Sequence, residues 1–118
     1  QGSSIALAYA GIRRVNGVDR WTVYLRTDKG GSWTDAASGP QSGKWHCVEI
    51  HWKMGVSNGL IELYVDGVRI ISRSNVNTAP YGNAKRLDFG ILNAVGVQNS
   101  LTIYGDCLVI AKTQIGTE

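Results

Sequence analysis

Three polar side chains in the middle of the chain have the types that a polysaccharide lyase requires. Such an enzyme removes a proton beside a sugar carboxylate, so it needs a His or Tyr base and a cation to neutralise the acid group. His51, Tyr64 and Arg69 supply those types, with Arg73 nearby. His51 and Tyr64 are expected to face outward on adjacent strands, although plain alternation of polar with core residues accounts for the same positions. Retaining glycoside hydrolysis instead asks for two carboxylates about 5–5.5 Å apart. Glu62 and Asp66 share a strand face, but Asp66 is already explained by a turn, so hydrolysis by that route is not expected. His46 and His51 stand five residues apart, which puts them on opposite faces of an extended chain. No metal site is expected from that pair.

Carbohydrate binding makes smaller demands. It needs an exposed aromatic face to stack on a pyranose ring, with amides, hydroxyls or carboxylates nearby to fix the orientation. Trp33 lies in a Gly-rich stretch with Ser32, Thr34 and Asp35, and Tyr81 lies in a second stretch with Asn77 and Asn83. Trp33, Asp35, Tyr81 and Asn83 are therefore the candidate ligand-binding residues. The competing expectation is that Trp33 folds back as a plug over one end of the domain. Trp21, Trp45 and Trp52 each have a strand position that accounts for burial.

The chain of 118 residues has room for one domain with a single modest core, taken as residues 1–118. Charged residues make up only 18% and hydrophobic ones 43%, which argues against disorder. Lys plus Arg exceeds Asp plus Glu by a formal +3, but the basic residues are scattered rather than gathered in a stripe. A nucleic-acid partner is therefore not expected. No apolar run approaches the length of a membrane span. The first residues do not read as a signal peptide, so an extracellular placement requires that a leader has been removed.

The elements that must position these residues are strands. Fifteen Gly against two Pro, and four Trp, suit strands joined by tight turns. Ile5, Leu7 and Tyr9 alternate with alanines; after Asn16-Gly17, Trp21, Val23 and Leu25 alternate with Thr22, Tyr24 and Arg26. Val48, Ile50, Trp52 and Met54 form one face opposite Cys47, Glu49, His51 and Lys53, which predicts a half-buried strand. Ile61, Leu63 and Val65, then Asp66-Gly67, then Val68 and Ile70 predict a hairpin with a type I′ turn. Ser57-Asn58-Gly59 is expected to join it to the preceding strand in the same manner. Leu87, Phe89 and Ile91 form a further strand pattern, and residues 101–111 read as a central strand covered on both faces. Residues 28–44 and 75–85 are expected to be loops.

The run Gly43-Lys44-Trp45-His46-Cys47-Val48-Glu49-Ile50, followed by Leu63-Tyr64-Val65-Asp66-Gly67-Val68, resembles the concanavalin A-like lectin/glucanase superfamily. The closer likeness is to its laminin G-like and polysaccharide lyase-like branches. Arg86-Leu87-Asp88-Phe89-Gly90 and the closing Tyr104-Gly105-Asp106-Cys107-Leu108-Val109-Ile110-Ala111, through Ile115-Gly116, extend the likeness over residues 43–116. The resemblance implies an all-β, two-sheet antiparallel jelly-roll sandwich that lacks its N-terminal strands. The chain would then be a fragment of a larger one, a minimal version, or a domain completed by a partner's strand. The acidic string of the family's hydrolases does not occur here. Calcium sites of laminin G-like domains use loop carboxylates, for which Asp28, Asp35 and Asp106 are available, but no spacing marks a site and no cofactor is expected.

Cys47 and Cys107 either close a disulfide across the core or remain thiols. Alternation turns Cys47 away from Val48 and Ile50, which favours the thiol. The resulting expectation is a non-catalytic extracellular or cell-surface module that binds a glycan or a surface protein. The alternatives are a structural subunit of a virion, filament or surface layer that self-assembles by strand pairing, and a lyase-like enzyme.

Overall fold

The computed structural model describes residues 5–86 and 88. Six strands form: β1 (Ala8–Val15), β2 (Val18–Thr27), β3 (Gly30–Asp35), β4 (Val48–Lys53), β5 (Gly59–Val65) and β6 (Val68–Val76). They make two three-stranded antiparallel sheets in the orders β1-β2-β3 and β4-β5-β6. Among the described residues there is no helix, and none long and apolar enough to cross a membrane. The strand patterns at 87–91, Asp88 apart, and at 101–111, with Cys107 and Asp106, lie outside the described residues.

Turn chemistry sets the registers. Asn16 and Gly17 both take positive φ (53° and 79°), as do Asp66 and Gly67 (52° and 83°). These are the backbone signs of type I′ turns, which Asn-Gly and Asp-Gly tolerate best. Asn58-Gly59 behaves differently. Neither residue has positive φ, so the connection from β4 to β5 is a longer loop. It is pinned by Thr78, whose buried hydroxyl donates to Lys53 O (2.7 Å) and accepts from Gly55 N (3.0 Å).

The facing sides of the sheets share one apolar cluster: Trp21, Val23 and Leu25 of β2, Ile61, Leu63 and Val65 of β5, with Ile71 and Ala36. Period-two alternation supplies it, with two register shifts between β5 and β6, one between Gly59 and Ile61 and one inside the cluster. Leu63 pairs with Ile71 but Tyr64 pairs with Arg69, so Ile70 is the extra residue of a bulge. The bulge shifts the alternation and buries Ile71 where unbroken pairing would turn it outward.

Several expectations are corrected. Residues 28–44 are not a single loop, because β3 pairs with β2 through Gly30–Asp35. The turn into β3 is tied by the Thr27 hydroxyl, which donates to Gly30 O, while Gly30 supplies the positive φ. Trp33 and Asp35 are consequently strand residues, and Trp33 does not plug an end. The apolar face of β4 points to the core side yet is not covered there: Val48 is 47% and Ile50 37% exposed, Met54 is exposed and Trp52 half-buried. The reason is geometric, since β4 is the outer strand of its sheet and the shared cluster lies between the central strands β2 and β5. Trp45 precedes β4 and is 68% exposed rather than buried. His46 also precedes the strand, so the two histidines are separated by position in the fold and not by strand parity.

Candidate functional site

The side of the first sheet that faces away from the core carries a row of aromatic rings. The two hairpins produce it by simple counting. Tyr9 and Tyr24 are equidistant from the Asn16-Gly17 turn and therefore pair across β1 and β2; Tyr24 and Trp33 are equidistant from the Asp28-Lys29 turn and pair across β2 and β3. Cross-strand partners point to the same face. Tyr9 and Trp33 lie nearly parallel (10°) with ring centroids 6.2 Å apart, and Tyr24 is tilted between them at 5.5 and 5.1 Å. Trp33 is 46% and Tyr9 39% exposed, so two of the three aromatic residues are partly open to solvent. Gly31 makes room for this arrangement, because a Cβ there would collide with the Tyr24 ring and hydroxyl.

Polar groups surround the row. The Arg13 guanidinium carbon lies 5.8 Å from the Trp33 ring centroid, and its Nη1 is 3.6 Å from Asp35 Oδ2. Asp35 Oδ1 accepts from the Thr22 hydroxyl at 2.7 Å, which fixes the carboxylate. Arg26 donates from Nε to Ala6 O (2.9 Å), and its guanidinium lies over both Tyr24 (5.7 Å) and Tyr81 (5.6 Å). Three of the four ligand-binding candidates, Trp33, Asp35 and Tyr81, are thus linked through Arg13 and Arg26. Asn83 is exposed in the loop after β6 and is not linked to them. Tyr9, Tyr24, Arg13 and Arg26 escaped the sequence reading. Their equal offsets from the turns would have revealed the aromatic row, had residues 28–29 been recognised as a turn between strands.

The outward side of the second sheet brings together the residues weighed as a lyase site. His51 pairs with Glu62, Glu49 with Tyr64, and Tyr64 with Arg69. His51 Nε2 is 2.6 Å from Glu49 Oε2 and its Nδ1 is 3.3 Å from Glu62 Oε1, while Arg69 Nη1 donates to Glu62 Oε2 at 3.0 Å. Tyr64 packs on the imidazole, ring centroids 4.8 Å apart. Both ring nitrogens face carboxylates of the same chain, so neither is turned outward to meet a substrate proton. Arg73 lies elsewhere: it pairs with Ile61 on the inward side and donates to Ser32 Oγ (2.8 Å), bridging the two sheets. It lines a groove of about 630 Å³ with Lys29, Ser32 and Asn77, across β3 from the outward-facing Trp33.

A third constellation holds the segment before β4. Asp66 accepts from Cys47 N (2.9 Å) and from His46 Nδ1 (2.8 Å), and Gln41 N donates to His46 Nε2 (3.1 Å). With Gln41 donating to Nε2, the hydrogen sits on Nδ1 and points at Asp66. The Cys47 amide, and then the His46 ring, hold the Asp66 carboxyl below its ordinary value. Cys47 is an exposed free thiol. Among the described residues no group of three or more His, Cys, Asp or Glu is placed to hold a metal ion. Comparison with protein-family models, with curated proteins and with solved structures finds no match for this chain.

Proposed function

We propose that this chain is a non-catalytic carbohydrate-binding or adhesion module, a two-sheet jelly-roll sandwich that works outside the cell or at its surface. The observation that carries the reading is the cross-strand row Tyr9–Tyr24–Trp33, in which the two nearly parallel rings belong to partly exposed residues. Sugar rings present flat C–H faces that stack on such aromatics, and the fixed Asp35 carboxylate and the Arg26 guanidinium offer hydrogen bonds at the rim. The hydroxyl groups of a glycan would meet partners that are already oriented by Thr22 and Ala6, which lowers the ordering cost of binding. A glycan array probed with the wild type and with Trp33→Ala tests the reading. Binding to at least one glycan that Trp33→Ala abolishes supports it; binding unchanged in the variant rejects it.

A second reading, self-assembly through strand edges, is favoured by a different observation. Ile12 on β1 and Val48 and Ile50 on β4 are exposed on strands that lie at sheet edges among the described residues. Exposed apolar edges invite pairing. Solution mass separates the readings: a monodisperse monomer disfavours assembly, and strand-exchanged polymers favour it.

A further inference from the structure

Beyond the aromatic row, the same outward face carries a pair of like charges placed directly against each other. Arg13 and Arg20 are partners in the β1–β2 register, so their side chains leave the same face from adjacent strands. Like charges in that position repel and need a counter-charge. Asp35 supplies one: its Oδ2 lies 3.6 Å from Arg13 Nη1. That leaves one positive charge in the trio unanswered. Arg20 donates from Nη1 to Ala36 O at 3.2 Å, while its Nε is buried without a hydrogen-bond partner. An orphaned buried donor of a charged group is costly, so Arg20 is held on this face with its charge poorly compensated.

Between this pair and the aromatic row, β1 carries no side chain on this face. Gly11 lies between Tyr9 and Arg13 on β1, and nothing comes within 4 Å of where its Cβ would stand. The Arg13 guanidinium reaches to within 5.8 Å of the Trp33 ring centroid, so the cation and the aromatic row adjoin. Arg26 adds a third cation at the far side of the row.

We infer that the glycan bound here is acidic, with a carboxylate or sulfate seated against Arg13 and Arg20 while a neighbouring ring stacks on Trp33 and Tyr9. This rests on the carbohydrate-binding reading of the same face. A planar guanidinium meets a carboxylate or sulfate through paired hydrogen bonds, and the anion supplies the missing counter-charge. A neutral sugar supplies neither charge nor a charge-assisted acceptor.

An array of neutral, uronate-containing and sulfated oligosaccharides tests this. The tightest acidic member is then titrated by calorimetry beside its methyl-esterified or desulfated counterpart, the two kinds of counterpart telling carboxylate from sulfate. The acidic form is expected to bind about ten-fold or more tightly than its neutralised counterpart, the scale of one charge-assisted hydrogen bond. The advantage should shrink with added salt. Arg13→Gln, at an exposed position of an outer strand, should remove most of the difference, and Arg20→Gln should act in the same direction. Equal affinity for both forms, or binding confined to neutral glycans, overturns the acidic specificity and leaves the carbohydrate-binding reading standing. Absence of binding to every member overturns both. Unchanged preference in Arg13→Gln and Arg20→Gln, each with a thermal midpoint near wild type, overturns the assignment to this pair.

Discussion

On the outward face of the first sheet, Arg13 pairs with Asp35, Arg20 beside it has no carboxylate partner, and the neighbouring aromatic rings are partly exposed. On the outward face of the second, Glu49, His51, Glu62 and Arg69 are matched with one another, and Tyr64 closes over the imidazole. Both faces come from the same period-two pattern, so the difference is not one of strand chemistry. It lies in what the polar positions do with each other once paired. A network whose polar groups already contact one another holds its own sheet and offers little to a ligand, whereas a face with an uncompensated cation and partly exposed rings has its best partner outside the chain.

Substitutions can erase or sharpen that contrast. The largest effect is expected at Leu63, which is fully buried in the cluster shared by both sheets. Leu63→Ala should cost about 2–5 kcal/mol in denaturant unfolding and abolish both faces together. A loss much below that range would show that the sheets do not depend on one core. Gly31→Ala is subtler. The added methyl group displaces Tyr24 from between Tyr9 and Trp33, which should cost about 1–3 kcal/mol. Glycan binding should fall more than stability does, as read by affinity beside a thermal melt. Retained affinity would mean that the row needs no central ring.

The matched face provides the opposite test. His51→Gln removes the group between Glu49 and Glu62. It should lower stability by about 0.5–1 kcal/mol, the range for partly exposed pairs, and leave glycan affinity unchanged. Any change in binding would extend the site to the second sheet.

The smallest effect is a dependence on acidity. Asp66 has a lowered folded-state value because the Cys47 amide and His46 stabilise its ionised form. Its contribution is therefore complete above the ordinary carboxylate range and is lost as pH falls through the lowered value, below about pH 4. Asp66→Asn keeps the turn, since Asn also tolerates positive φ. The melting-temperature gap between wild type and Asp66→Asn should narrow as pH is lowered through that window; a gap independent of pH would remove Asp66 from the account.

Much of this architecture is legible from residue order. Asn16-Gly17 and Asp66-Gly67 place their turns because few other pairs take positive φ twice in succession, and Trp21, Val23, Leu25, Ile61, Leu63 and Val65 announce the core by alternation. The likeness to a jelly-roll superfamily rests on residues that reach well past those described. Trp33 and Asp35 could be named from type alone, but not as strand residues, because Gly30-Gly31 and the small polar residues around them resemble a loop. Whether an apolar strand face is covered depends on which strand is central, so Val48 and Ile50 could not be placed by alternation. Trp45 was misjudged for a related reason: the contacts of Asp66 with His46 and Cys47 shape the segment before β4, and they cross nineteen or more residues of sequence.

The most direct test of the ligand face uses the four tryptophan indole N–H signals in a nitrogen-15 correlation spectrum, followed while a bound glycan is titrated in. Trp33 is predicted to shift strongly, with Trp21, Trp45 and Trp52 nearly still. Shifts concentrated at Trp45, with Trp33 unmoved, would contradict the account.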